Sequence, residues 1–228
     1  MPRLLVAMLV AACARPVADP LVPDERESFP AAERVLAQMY RTYARARSYA
    51  DIGVVTSATE LANTSWSTDR SFRTDFVRPQ LRFDVTDDGY VVWSDGESAF
   101  TQTPAAQIDK ASVEVGLAAA KAQTYSVSSW IPTLLAGVPG RVELHDVEVA
   151  RADVVAGHDV WVVTGRDDRG AYRLAIDKHS HLLRWLGHAS SVAELTATEV
   201  IRYEPVIDDP EIEVEGLDLA DKTVVASP

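Results

Sequence analysis

The sequence predicts an α+β domain: a single strongly curved antiparallel β-sheet, a half-barrel, with a helical lid. Three observations predict it. Apolar and polar residues alternate with period 2 in short runs separated by glycine-containing turns, as half-buried antiparallel strands require. Five such runs precede residue 110 and five follow residue 141, so one curved sheet is more economical than two domains. Between them lie two helical segments less polar than surface helices, of the kind that lie across the open face of a curved sheet.

A chain of 228 residues with 47% apolar content is long enough for one sizeable core. Its net charge of −12 argues against nucleic acid, whose phosphates demand a basic face. No run of about 18 apolar residues follows the amino terminus, so no membrane span is expected. Residues 1–12, Arg3 and then a run from Leu4 to Ala12, have the layout of a secretory signal peptide. The run closes on Val10-Ala11-Ala12-Cys13, which resembles a bacterial lipobox and makes Cys13 the expected lipidation site and membrane anchor. Cys13 is the only cysteine, so no disulfide can form within one copy. The alternatives are a plain signal peptide with a chance cysteine, or a start site placed too far downstream. Residues 13–29 hold three prolines and no periodicity, which makes them a lipidated amino terminus and tether. The domain proper is expected over 30–207, followed by an acidic tail over 208–228.

Ser28-Phe29-Pro30 opens a helix expected to run to about Tyr49, with Ala32, Val35, Leu36, Met39, Tyr40, Tyr43 and Ala46 on one face and Arg34, Arg41 and Arg45 on the other. A first strand spans 52–57, and 61–69 is a polar turn containing Trp66. Phe72, Thr74 and Phe76, then Leu81, Phe83 and Val85, alternate with polar neighbours, and Asp88-Gly89 and Asp95-Gly96 supply the turns of a meander. A strand over 98–103 leads into a helix over 110–123 and a second over 128–137, capped by serine and stopped by Gly137. Strands follow over 142–150, 159–165, 171–177, 182–189 and 195–203, the last ended by Glu204-Pro205. Residues 208–221 are acidic and expected to be loosely held.

The meander carries a family likeness. Val77-Arg78-Pro79-Gln80-Leu81-Arg82-Phe83, followed by Trp93-Ser94-Asp95-Gly96, resembles the periplasmic outer-membrane lipoprotein carriers of Gram-negative bacteria and their lipoprotein relatives. The likeness extends over roughly residues 30–207 through the preceding helix and the order of later strands. It implies a non-enzymatic protein of the bacterial envelope, facing the periplasm or the cell exterior, that binds lipid or acyl chains in its cavity for transport or chaperoning. It also implies that Arg78 acts as a lid latch, bonding to lid backbone and holding the empty cavity closed. An edge arginine ending a strand beside a proline is the simpler reading of the same residue.

The cavity lining expected from alternation is Phe72, Phe76, Leu81, Phe83, Trp93, Leu174, Ile176 and Trp185, with Val91 beside them. An ordinary filled core has the same pattern, so a structural or interaction module of the same fold stands as the alternative. No catalytic constellation is visible: there is no Gly-x-Ser-x-Gly elbow and no phosphate-binding glycine loop, and no cofactor is expected. His179 and His181 form the one close histidine pair, in a turn and without a third ligand, so no metal is expected either. The protein partner is left open.

Overall fold

The computed structural model describes residues 29–61, 64–87, 89–105, 107–124, 129–138, 143–192, 195–217, 219 and 224–226. The leader, Cys13 and the tether up to residue 28 lie outside them, as do Asp88 and residues 125–128 and 139–142. Helix α1 (Ala32–Arg45) precedes strands β1 (Ser48–Leu61), β2 (Thr64–Val77), β3 (Gln80–Val85), β4 (Tyr90–Ser94), β5 (Ser98–Gln102) and β6 (Ile108–Ser112). Helices α2 (Val113–Thr124) and α3 (Trp130–Ala136) come next, then β7 (His145–Val155), β8 (His158–Arg166), β9 (Ala171–Asp177), β10 (Leu183–Val192) and β11 (Leu195–Tyr203). The short strands β12 (Val206–Ile207) and β13 (Val224–Ala226) close the chain.

These thirteen strands form one curled, open sheet in the order β13-β6-β5-β4-β3-β2-β1-β11-β10-β9-β8-β7, with β12 also on β1. Every pairing is antiparallel except β13 on β6. The curved antiparallel sheet with helices over it is the architecture expected from the sequence.

Register sorts the side chains into an inner, helix-covered face and an outer face. On the inner face Tyr49 stands opposite Phe76, Gly53 opposite Phe72, Phe76 opposite Leu81, and Phe83 opposite Val92. Across the sheet's other half Leu174 stands opposite Leu186, and Leu186 opposite Ile201. Gly53 cannot be anything larger: a Cβ there would lie 2.2 Å from Cζ of Phe72, whose ring fills the space over the glycine.

Helix α1 buries the stripe Val35, Leu36, Met39 and Tyr43, spaced as one helical face, and turns Arg34, Arg41 and Arg45 to solvent. Helix α2 lies against β4, β5 and β6, and Gly116 lets it approach closely, since a Cβ there would stand 2.5 Å from that of Ala99. Helix α3 buries Trp130, Ile131, Leu134 and Leu135 between α1 and the sheet, and Gly137 ends it in the left-handed conformation at φ +67°.

Several boundaries differ from expectation, each for a local reason. Helix α1 stops at Arg45 because Ala46 adopts ψ 131°, after which Ser48 and Tyr49 pair with Val77 and Phe76 as the start of β1. Residues 64–69 are not a turn but the outer half of β2, paired with 56–61 in an unbroken register. Their hydroxyl-rich composition reads as loop when the partner strand is out of view. Residues 108–112 belong to β6, so the lid helix begins at Val113. Ser129 precedes α3 without a side-chain capping bond, and instead accepts a hydrogen bond at its carbonyl from the Thr133 hydroxyl. Residues 208–216 lie against the sheet: Asp208 accepts from the Arg47 amide, the Ser48 hydroxyl donates to the Asp209 carbonyl, and Arg82 donates to the carbonyls of Glu215 and Gly216.

Candidate functional site

The inner face under the helices is the candidate site. Phe72, Phe76, Leu81, Phe83, Leu174 and Ile176 share one apolar cluster with α1 and α3, and none is more than 2% exposed. Trp93 and Trp185 are not among them. Trp93 is on the outer face with Phe100, ring centroids 5.6 Å apart, while Val92 takes the inner position. Val91, two residues before Trp93, shares its outer face. Trp185 packs on the outer face with Val160, Val162 and Ala175, because the register shift between Leu183 and Trp185 reverses the phase of β10. Alternation alone leaves that phase open in Tyr90-Val91-Val92-Trp93, where apolar residues stand at both parities.

A polar group sits inside this apolar layer. Tyr49 donates to Asp51 Oδ2 at 2.8 Å, Thr74 is the cross-strand neighbour of Asp51, and Asp51 is 2% exposed. Burial pushes the Asp51 carboxyl up to about 6, against the lowering influence of Thr74 and Tyr49. Burial likewise raises the phenols of Tyr43, Tyr49 and Tyr203. The Tyr43 hydroxyl accepts the Leu183 amide at 3.0 Å, tying α1 to β10.

Arg78 precedes a cis proline after β2. Its guanidinium donates to the carbonyls of Ala44 (2.9 Å) and Ala46 (3.2 Å) and rests 5.1 Å from the Phe76 ring centroid. The Ala44 carbonyl is an orphan of the last turn of α1 and that of Ala46 lies at its C-cap, so in this structure Arg78 joins the sheet to the end of α1. His179 and His181 stay in the turn after β9. That turn is organised by Asp177, which accepts the amides of His179 and Ser180 and pairs with Arg184 and His158. Burial acts to raise the Asp177 carboxyl, but the Ser180 and His179 amides, the Ser180 hydroxyl and Arg184 outweigh it and hold it at about 2. Among the described residues no group of three His, Cys, Asp or Glu is placed to hold a metal ion.

The inner face changes character along its strands. Beyond Val55, Phe72, Leu186 and Ile201 the next inner positions are Ser57, Arg70, His188 and Glu199, then Thr59, Thr68, Ser190 and Ala197, with Trp66 across from Thr59. These residues line a cleft of about 450 Å³, a size suited to a small ligand. Within it His188 Nδ1 lies 3.6 Å from Glu199 Oε2, both side chains nearly buried, and the Tyr172 ring stands 4.5 Å from that of His188. None of these residues was expected from the sequence. The available signal was the continuation of period 2 from Arg70 back through Thr68 and Trp66, which the reading of 61–69 as a turn cut short. A larger cleft of about 640 Å³ includes Thr164, Arg173, Trp185 and Gly187 on the outer face, and one of about 300 Å³ separates α1 from β7.

No helix among the described residues is long and apolar enough to cross a membrane. No family model and no curated protein matches the sequence. Solved structures do resemble the fold. The lipoprotein LppX of Mycobacterium tuberculosis is 13% identical, with 80% of this chain and 97% of that one covered and a TM-score of 0.42. A LolA superfamily protein of Nitrosomonas europaea is 10% identical, with coverages of 79% and 95% and a TM-score of 0.33. MucB of Pseudomonas aeruginosa, solved with MucA, is 16% identical, with coverages of 80% and 59% and a TM-score of 0.39.

Proposed function

We propose that the chain is a non-enzymatic lipid-binding protein of the bacterial envelope, held at a membrane through acylated Cys13, that accommodates acyl chains noncovalently on the inner face of its sheet. One observation carries this reading. Among the described residues the apolar inner face is covered by helices and not by a second sheet, and past Val55, Leu186 and Ile201 it borders an open cleft. An acyl chain entering from the cleft would exchange places with helix side chains, apolar for apolar, and each methylene taken out of water contributes about 0.8 kcal/mol. Carriage or chaperoning of lipid or lipoprotein chains is the corresponding role.

Native mass spectrometry of the purified protein tests it. Adducts of lipid mass that vanish on organic extraction support the reading, and an adduct-free protein that also fails to take up a fluorescent fatty acid overturns it. The second reading, an interaction module with a filled core, is favoured by the near-complete burial of Phe72, Phe76, Leu81, Phe83, Leu174 and Ile176 beneath α1 and α3.

A further inference from the structure

We infer that the open end of the inner face is a headgroup subsite, and that the ligand is an amphiphile whose head is uncharged and rich in hydroxyls, such as a sugar. The inference deepens the lipid-binding reading and rests on it. Its basis is a polarity boundary that crosses three neighbouring strands, β1, β11 and β10, at one level and β2 one inner position earlier, where Arg70 stands opposite Val55. On β2 the inner face passes from Phe72 to Arg70, on β1 from Val55 to Ser57, on β11 from Ile201 to Glu199, and on β10 from Leu186 to His188. One such change is an accident of a strand end, but three in register, with Arg70 and Thr68 carrying the polar side onto β2, make a surface with an apolar half and a polar half. A molecule lying along it satisfies both halves only if it is itself apolar at one end and polar at the other.

The polar half also specifies the head. Its hydroxyls come from Ser57, Thr59, Thr68 and Ser190, each able to donate and accept. Trp66, 48% exposed, stands directly across from Thr59 and offers a flat apolar platform at the mouth of the cleft. The ionisable lining groups are Arg70, His188 and Glu199, with His188 set against Glu199. Arg70 and Glu199 leave the lining without net formal charge, so net charge does not select a phosphate or an ammonium. Hydroxyls and an indole face together suit a ring with polar edges and an apolar C–H face.

Calorimetric titration of the purified protein with three decyl amphiphiles below their micellar concentrations tests the inference: decyl maltoside, decylphosphocholine and decanoate. Decyl maltoside is expected to bind at least 10-fold more tightly than decanoate. Trp66→Ala should abolish that margin while leaving the decanoate Kd within 2-fold, and Thr59→Val should reduce it without altering the far-ultraviolet dichroism of the fold. Equal affinity for all three overturns the headgroup subsite and leaves the lipid-binding reading standing. A preference for decylphosphocholine overturns the uncharged head. Failure of all three to bind removes the lipid-binding reading, and the subsite with it.

Discussion

Replacing Asp51 with asparagine should stabilise the protein progressively as pH rises. In the folded chain the carboxyl is raised from its ordinary 3.8 to about 6 by burial beneath α1, opposed in part by Thr74 and Tyr49. The folded state therefore binds this proton more tightly than the unfolded state does. The contribution is fully present below about pH 4 and is lost as pH climbs through 6. A shift of about 2 units at about 1.4 kcal/mol per unit makes the loss about 3 kcal/mol, or roughly 6 to 12 °C in Tm for a domain of this size. Asparagine keeps an oxygen acceptor for the Tyr49 hydroxyl but has no charge to bury. Any cost of its amide group is independent of pH, so the slope is the informative quantity. Urea unfolding of both proteins at steps from pH 4 to pH 8 should show their stability difference moving by about 3 kcal/mol in favour of the variant, most of it between pH 4.5 and 6.5. A difference that stays constant across that range, or that moves toward the wild type, would refute the argument that burial dominates at Asp51.

Three further outcomes are expected. Arg78→Leu leaves the carbonyls of Ala44 and Ala46 without their guanidinium donor and should cost about 1 to 2 kcal/mol in urea unfolding, with faster hydrogen exchange in the last turn of α1. Unchanged exchange there would show that water replaces the guanidinium at no cost. Gly53→Ala places a methyl group within the Phe72 ring's volume and 2.5 Å from the Arg202 carbonyl oxygen, and should destabilise by about 2 to 3 kcal/mol, whereas Gly89→Ala, at a turn with open space around it, should cost only the strain of its positive φ, about 1 kcal/mol. Cys13→Ala should leave the domain folded while shifting it from the membrane to the soluble fraction, or stalling its processing. A processed variant that still sediments with membranes would remove acylation as the anchor.

Much of this protein is legible in one dimension because the rules for strands and turns are local. Alternation over 71–77, 81–85, 171–177 and 195–203 marks strands through a period set by the pleat, and the Asp-Gly and Asp-x-x-Gly turns follow from where a chain tolerates positive φ or an Asx bond. One curled sheet with helices over it follows from counting those strands around two apolar helical segments. Tertiary structure alone decided which face each strand presents. The phase of Tyr90-Val91-Val92-Trp93 depends on the partners in β3 and β5, and that of Trp185 on a bulge that no single-strand pattern contains. It also decided that residues 64–69 form a strand, since their pairing energy comes from β1 and not from their own propensities. The polarity boundary has the same origin. Ser57, Thr68, His188 and Glu199 are scattered over more than a hundred residues, and only the register of β2, β1, β11 and β10 sets them side by side, because a sheet brings distant segments together through backbone hydrogen bonds that carry no side-chain signature.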